Sequence, residues 1–366
     1  MAWKEARRAS DNERVSDYRR RGRGAVTNAT GRFEPERREW LDDGWDILAD
    51  LPQFRTEVRE ETAKTIIATN DSPDIAFDRS VNPYRGCEHG CIYCYARPSH
   101  AYWGYSAGLD FETKLTAKVN AVEALERELS RPGYTPAMLM IGSNTDAYQP
   151  IERERKITRG LLEVLDRFNH PVAIVTKSAL VLRDIEILSK LARRDLVRVA
   201  ISITTLDGRL ARKMEPRASA PQKRLQVIRG LSAAGIPVAV MAAPLIPALN
   251  DAELERILEA AAGAGAIDAG YVLLRLPLEI SPLFQEWLAS EFPGRAKHIM
   301  SLVRQTRGGK DYVSCFGERR RGTGPYADQI EARFELAMKR YGLNRRQLQL
   351  RRDLFRKPGD RQLSLF

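Results

Sequence analysis

The sequence contains little that would suit an exported or membrane protein. It has four cysteines in 366 residues, three of them clustered, so it lacks the disulfide framework of a small secreted domain. Its first residues, MAWKEARRAS, are charged and lack the apolar stretch of a secretory signal. No run approaches the roughly eighteen apolar residues that a membrane span requires. We therefore expect a cytoplasmic protein without a membrane partner.

The chain also lacks an even distribution of charge. Its net charge is +11, and all of it comes from residues 1–40 (eleven Lys and Arg against seven Asp and Glu) and residues 339–361 (nine against two). Basic ends on an otherwise neutral chain are typical of appendages that contact a polyanion. We expect residues 19–23 and 345–356 to bind the phosphates of nucleic acid with little sequence preference. Solvated arms without a partner are the alternative.

The hydrophobic pattern between these ends predicts an α/β fold. Short apolar runs alternate with amphipathic stretches, which is typical of βα units around a parallel sheet. The predicted strands are residues 75–84, 137–141, 172–176, 197–204, 238–244 and 271–276. The predicted helices are residues 112–129, 155–168, 182–193, 222–234 and 251–264, with further helix beyond residue 281. Six units make a partial (β/α)6 TIM-type barrel, two units short of closure.

This pattern divides the chain into four parts. Residues 1–60 are a basic N-terminal extension, in which RRRGRG (residues 19–24) reads as a flexible strap. Residues 61–325 form the partial barrel. Residues 326–357 hold a last helix, to about residue 340, and a basic tail that we expect to lie outside the barrel. Residues 358–366 are a flexible tail, because Pro358 and Gly359 end any helix before them.

Three cysteines follow the first predicted strand in the stretch RGCEHGCIYCYARPSH. Cys87, Cys91 and Cys94 can close three thiolates around one centre. A structural zinc site takes four ligands, so His89 or Cys315 would have to complete it. A cubane iron–sulfur cluster takes one thiolate per iron, so three thiolates leave one iron open to another ligand. In α/β barrels this position, at the carboxyl end of a strand, is where the chemistry lies.

The Cys-x3-Cys-x2-Cys spacing resembles the cluster motif of radical S-adenosylmethionine (radical SAM) enzymes, and Tyr93 fits the aromatic residue before the last cysteine. The resemblance covers roughly residues 60–330, and it is greatest to spore photoproduct lyase and a related bacterial group. It implies a [4Fe–4S] cluster whose open iron is chelated by S-adenosylmethionine. It also implies an electron donor such as a flavodoxin or ferredoxin, and cleavage of the cofactor to a 5′-deoxyadenosyl radical.

The resemblance also implies which residues bind the cofactor. Ser143, in MIGSNTDAYQPIER, corresponds to the serine that meets the methionine end. Lys177 corresponds to a lysine that reaches the methionyl carboxylate, and Ser202 to a hydroxyl that bonds the ribose. Tyr93 and Tyr95 correspond to tyrosines that line the adenosine side. A zwitterion that carries a ribose requires a cation and hydroxyls on one face, so the set is chemically reasonable.

Three further residues complete the predicted cofactor site, and one position departs from the lyases. Asp146 shares the loop of Ser143, and we expect Glu215 and Arg217, in MEPR, to form or brace a polar wall. The lyases carry a hydrogen-donating cysteine two residues before the matched serine, where this chain has Ile141. Cys315 can act from another loop, or it is a buried structural cysteine. The resemblance thus favours the radical chemistry without specifying the lyase reaction.

The segment after the cysteines, YARPSHAYWGYSAGLDFETK, is rich in aromatic residues. Rings beside Arg97 and His100 can stack on bases at the barrel mouth. They can equally pack a long loop over the cluster and exclude water. Both interpretations stay open at this stage.

The last five residues, QLSLF, resemble the consensus by which bacterial polymerases and repair proteins bind the sliding clamp. The resemblance implies that Gln362 bonds at the rim of the clamp pocket while Leu365 and Phe366 fill it. The leading hypothesis is therefore a radical SAM enzyme acting on DNA, in repair or base modification. The alternatives are a radical SAM enzyme that modifies RNA or protein, and a zinc-stabilised nucleic-acid adaptor without catalysis.

Overall fold

The computed structural model describes residues 14–34, 52–344 and 349–358. The strands in these residues are β1 (Glu57–Glu61), β2 (Ile67–Thr69), β3 (Arg79–Val81), β4 (Tyr84–Arg85), β5 (Lys114–Lys118), β6 (Leu139–Ile141), β7 (Val172–Thr176), β8 (Val197–Ser202), β9 (Val238–Leu245) and β10 (Asp268–Leu273). Seven of them form one sheet in the order β10-β9-β8-β7-β6-β3-β2, in which all neighbours are parallel except β2 and β3. In the described residues β10 and β2 do not pair with each other, so the sheet is open, and its six parallel strands agree with the predicted α/β fold without a closed barrel.

Helices cover this sheet. They are α1 (Asp110–Thr113), α2 (Ala121–Leu129), α3 (Glu152–Arg155), α4 (Ile157–Arg167), α5 (Ile185–Ala192), α6 (Gly208–Met214), α7 (Pro221–Ala233), α8 (Leu254–Gly263), α9 (Ile280–Glu291), α10 (Ala296–Gln305), α11 (Glu318–Arg321) and α12 (Pro325–Tyr341). Neighbouring helices pack in pairs, α2 on α4, α4 on α5, α7 on α8 and α8 on α12. None of the described helices has the length and apolar character needed to cross a membrane.

The main core lies between the sheet and these helices. The central strands are apolar on both faces, as in VAIVT of β7, because parallel strands are covered on each side. Leu161 and Leu165 of α4 are fully buried against Ile174 and Val199 of the sheet. This core fixes the strands, and with them the edge at their carboxyl ends, which we call the mouth.

A second core lies at the mouth. Val15 and Val26 of the N-terminal segment pack there with Ile92, beside a cysteine, and with Phe284 and Trp287 of α9. The N-terminal segment and α9 therefore enclose the residues around the cysteines.

Residues 112–129 are not one helix as the sequence predicted. The helix α1 ends at Thr113, and β5 follows before α2 begins at Ala121. In β5 the buried Leu115 and Ala117 alternate with half-buried residues, which is a strand period. The strands β1, β5 and β4 form a separate small sheet. The domain boundary predicted at residue 60 falls inside β1, which spans Glu57–Glu61.

Two predictions about the ends are wrong for the described residues. The strap is not free, because Arg23 is buried and donates to the Glu112 backbone carbonyl at 2.8 Å. The basic tail packs on the outer surface of the fold and is not free in solution, because the ring of Phe355 lies 5.5 Å from Tyr134 and 5.7 Å from His170. In both places an apolar or buried group inside a basic run binds the run to the fold.

Candidate active site at the mouth of the partial barrel

The three clustered cysteines lie in one tight loop, residues 86–95, which we call the cysteine loop. Cys87 and Cys91 are buried, Cys94 is half-buried, and all three are free thiols. The loop follows β4 and turns at Gly90, whose φ is +66°. A Cβ at Gly90 would lie 2.6 Å from a Glu112 carboxylate oxygen, so the turn requires glycine.

Glu112 holds the cysteine loop from below. Its carboxylate accepts hydrogen bonds from the backbone N–H groups of Gly24 and Ala25, both at 2.8 Å, and from Arg97 at 2.5 Å. Arg97 also donates to the Cys91 carbonyl at 2.9 Å, and the Arg97–Glu112 ion pair is completely buried. Such a pair is stable only when its remaining donors and acceptors are also used, as they are here.

Gln149 and Arg217 hold the cysteine loop from the side. The Gln149 amide accepts from the Glu88 N–H at 2.9 Å and donates to the Gly86 carbonyl at 3.2 Å. The Glu88 carboxylate in turn accepts from Arg217 at 2.9 Å and from Thr56 at 2.5 Å. The structure therefore places Arg217 as a brace of the loop that carries the cysteines.

The thiols lie in an environment that disfavours their ionised form. Burial, the Asp146 carboxylate and the two neighbouring thiols raise the pKa of Cys87 well above its ordinary value. Burial raises the pKa of Cys91 to about 12, although Lys177 opposes the shift. Buried thiols become thiolates when a metal supplies the compensating positive charge, so this donor set fits an iron–sulfur cluster.

No three His, Cys, Asp or Glu side chains converge on a single metal position within residues 14–34, 52–344 and 349–358. A cubane cluster does not need such convergence, since it takes each thiolate at a different iron.

Asp146 ties the cysteine loop to the ends of two strands. It accepts from the Thr176 hydroxyl at 2.7 Å and the Lys177 N–H at 2.8 Å, and it pairs with His89 at 3.3 Å. Burial alone would raise the pKa of Asp146, but His89 and these donors hold it far below its ordinary range. His89, which the sequence offered as a possible fourth zinc ligand, is buried and pairs with this carboxylate.

Glu215 forms the predicted polar wall. The Tyr93 hydroxyl donates to its carboxylate, the Thr204 hydroxyl donates at 3.2 Å, and Arg224 forms a buried ion pair with it. Burial would raise the pKa of Glu215, but Arg224 and Lys177 lower it. Glu215 is therefore an ionised carboxylate inside the mouth. Arg224 was not predicted, because a single arginine on the predicted helix of residues 222–234 carries no signal in the sequence.

Lys177 is the cation of this wall that the described residues leave without an ion-pair partner. It follows β7, and its ammonium lies 5.7 Å from the centre of the Tyr93 ring. Among the described residues the ammonium has no hydrogen bond or carboxylate within ion-pair distance. Ser202 ends β8 with its hydroxyl toward a β9 carbonyl at 3.2 Å, and the Ser143 carbonyl accepts from the Tyr95 hydroxyl. A cation, a carboxylate and hydroxyls therefore share one edge of the sheet.

The structure bears on two points that the sequence left open. Arg97 and His100 are buried and pack the loop, whereas the side chains of Tyr102 and Trp103 are exposed, so stacking of these rings on bases stays a prediction. Cys315 is exposed and is not a buried structural cysteine. Ile141 is fully buried at the end of β6.

Residues 81–261 match the family model described as "Radical SAM superfamily". The uncharacterized protein Rv2578c of Mycobacterium tuberculosis is 35% identical over 243 residues, which are 65% of this chain and 72% of that protein. The uncharacterized protein MJ0683 of Methanocaldococcus jannaschii is 30% identical over 173 residues, 47% of this chain and 62% of that protein. The chain therefore belongs to the radical SAM superfamily.

The fold is similar to that of a solved spore photoproduct lyase. A structure described as "Spore photoproduct lyase complexed with dinucleoside spore photoproduct" matches with a TM-score of 0.54 and 14% identity, over 78% of this chain and 79% of that chain. The protein thus has the fold of a radical SAM group related to spore photoproduct lyase, as the sequence motifs predicted.

Proposed function

We propose that this protein binds a [4Fe–4S] cluster through Cys87, Cys91 and Cys94 and reductively cleaves S-adenosylmethionine. The observation that carries the proposal is that three free thiols of one tight loop lie at the mouth, where Lys177 and Glu215 act on the thiol of Cys91. When bound, the cluster and its cofactor supply one-electron cleavage of the sulfonium C–S bond, which gives methionine and a 5′-deoxyadenosyl radical.

The side chains at the mouth suit the parts of this cofactor. The Lys177 ammonium, which has no ion-pair partner among the described residues, fits the methionyl carboxylate. The ionised Glu215, braced by Arg224, fits a hydroxyl or ammonium donor, and Ser202 and Ser143 lie where they can bond polar atoms. Tyr93 and Tyr95 offer rings for the adenosine. Glu112, Arg97 and the N-terminal segment exclude water from the back of the cysteine loop.

The proposed substrate is DNA, for repair or base modification. The net charge of +11 supports a polyanionic substrate. The similar spore photoproduct lyase structure is a complex with a dinucleoside spore photoproduct. Modification of RNA or of a protein is the second candidate, since basic ends also suit RNA. Because position 141 is isoleucine and not cysteine, another group has to donate the hydrogen atom to the substrate radical. The exposed Cys315 is a candidate for this donor.

Anaerobic reconstitution tests the proposal. We expect a brown protein with about four irons per chain, which releases methionine and 5′-deoxyadenosine when reduced with S-adenosylmethionine present. One colourless zinc per chain and no cofactor cleavage would establish the non-catalytic zinc adaptor instead.

We also propose partners for this reaction. A flavodoxin or ferredoxin supplies the electron, and free thiolates for a cluster require a reducing compartment such as the cytoplasm. The basic ends bind phosphates of the substrate. Residues 345–348 and the QLSLF segment, from Gln362 to Phe366, lie outside the described residues. Binding to the sliding clamp through this segment would concentrate the enzyme on DNA.

The clamp proposal has a direct test. Purified sliding clamp is titrated against the intact chain and against a version that ends at residue 361. We expect binding only to the intact chain. Equal binding of both versions, or of neither, would remove the support that this segment gives to a DNA substrate.

A further inference from the structure

A second group of cations lies at the mouth beside Tyr95. Arg275 follows β10, and its guanidinium lies 5.1 Å from the centre of the Tyr95 ring and 6.0 Å from the centre of the Tyr312 ring. Arg320 of α11 lies close enough to Arg275 for the positive charge of Arg275 to lower the pKa of Arg320. We call Arg275, Tyr312 and Arg320 the arginine rim.

Arg275 has no acidic partner among the described residues. Within the described part of the chain it has one hydrogen bond, a contact of 3.3 Å with the Tyr312 hydroxyl, and its Nε is buried with nothing there to accept the proton. Other described arginines form ion pairs, as Arg85 does with Glu61 and Arg333 with Glu255. A cation between two rings with unused donors is arranged for an anion that comes from outside.

Arg320 is held at the same place by the open edges of the sheet. It donates to the Asp74 backbone carbonyl at 2.6 Å, and its neighbour Arg319 binds the Asp74 carboxylate. Asp74 lies between β2 and β3 at one edge, and α11 contacts β10 at the other. Burial, and repulsion by Arg275, lower the pKa of Arg320. An anion bound between the two guanidinium groups would therefore reduce their electrostatic repulsion.

We propose that Arg275 and Arg320 bind a backbone phosphate of the nucleic acid substrate and so place the neighbouring nucleoside over the cysteine loop. The inference rests on the proposed radical SAM function and specifies how its substrate is held. A bidentate guanidinium matches a phosphodiester, and Tyr312 offers a ring for the adjoining base or sugar.

The surroundings favour a phosphate over a carboxylate of a protein substrate. Residues 306–324 carry Arg307, Lys310 and three successive arginines against only Asp311 and Glu318. Phe316 is exposed under the guanidinium of Arg319, with 4.6 Å between that group and the ring centre. Exposed rings within a basic segment are typical of nucleic-acid contacts.

The test compares Arg275→Gln with Arg256→Gln. Arg256 is exposed on α8 and is not part of the arginine rim, so its substitution removes the same charge from another surface. A fluorescent DNA oligonucleotide is titrated against the cluster-loaded proteins at several salt concentrations. We expect Arg275→Gln to weaken binding about tenfold and to reduce the slope of log affinity against log salt by about 0.9. Arg256→Gln should change neither value appreciably.

Two readouts separate this inference from the proposed function. Arg275→Gln should keep its iron content and its cleavage of S-adenosylmethionine without substrate, because Arg275 contacts no cysteine. If both variants weaken DNA binding equally, the rim is only part of the general charge. If Arg275→Gln leaves DNA binding unchanged and instead weakens binding of an acidic peptide, the anion is a carboxylate. Each of these results would overturn the proposal, whereas a protein that fails to load iron would overturn the proposed function instead.

Discussion

The two sides of the mouth differ in how their charges are satisfied. On the cysteine side, Glu112, Asp146 and Glu215 all receive hydrogen bonds from within the protein, and Arg97 is completely buried against Glu112. On the arginine rim, Arg275 has donors that nothing in the described residues uses.

This difference indicates what each side is built to do. Polar groups that already have their partners hold a geometry before any ligand arrives, which suits a cluster and a cofactor bound throughout a reaction. Cations without partners gain most when a ligand comes, which suits a substrate that binds and leaves. Substitutions on the cysteine side should therefore change stability and cofactor binding, and substitutions on the rim should change substrate binding.

The largest effect is expected from Cys91→Ala. It removes one of three thiolates, so iron content and cleavage of S-adenosylmethionine should fall to background while the far-UV circular dichroism of the fold is unchanged. Iron analysis and quantification of 5′-deoxyadenosine check this. Cys315→Ala is the matched control and should keep its full iron content. A loss of iron in Cys315→Ala, or iron retained in Cys91→Ala, would contradict the assignment of the cluster ligands.

The comparison is sharpened by a pair of arginine substitutions. Arg97→Met leaves Glu112 buried without its cation and should lower the free energy of unfolding by about 3–5 kcal/mol. Arg275→Met removes no ion pair and should stay within about 0.5 kcal/mol of the unchanged protein. Urea unfolding of both variants without the cluster gives the values. A similar cost for the two would mean that the rim is also structural.

Lys177→Met tests the free cation on the cysteine side. It keeps the length of the side chain and removes the charge, so affinity for S-adenosylmethionine should fall about 10- to 100-fold. Equilibrium binding to the cluster-loaded protein measures it, and iron content should not change. Lys190→Met, on α5, is the control for loss of one positive charge. Unchanged cofactor affinity in Lys177→Met would remove this lysine from the proposed site.

The smallest effect is expected from Asp74→Asn, which weakens the tie between the two sheet edges. The Arg319 hydrogen bonds hold the pKa of Asp74 below its ordinary value of 3.8. The pair therefore stabilises the fold at neutral pH, and this contribution disappears as the pH falls through the lowered pKa. At pH 7 we expect a cost of about 1 kcal/mol and faster amide hydrogen exchange in residues 70–78. Equal exchange in both proteins would show that the tie is not needed.

Much of the fold could be predicted because its signals are local. The central strands are short continuous apolar runs and the helices carry an apolar period of about 3.6 residues, and the structure confirms the strand at residues 172–176 as predicted. The strand β5 was missed because its partner, β1, lies more than fifty residues earlier in the chain. The packing of Phe355 was missed for the same reason, since its ring contacts are distant in sequence.

The site divides in the same way. Residues at the ends of strands, such as Ser143, Lys177 and Ser202, could be found from the motif and the strand pattern, and the structure brings them to one edge. Arg97 and Glu112 could not, because a buried ion pair looks like two surface residues until the fold encloses it. Arg275 was missed because nothing in the sequence shows that a cation lacks a partner.

The docking of the tail has a consequence for how the enzyme can be tethered. Phe355 packs beside Phe168 and His170, just before β7, and the N–H of Arg351 bonds to the carbonyl of Asp195, just before β8. These contacts lie at the amino ends of the strands, whereas the cysteines lie at the carboxyl ends. A protein that binds the chain beyond Pro358 would therefore hold the enzyme from the side opposite the mouth. The mouth would then face away from that partner and stay accessible to substrate.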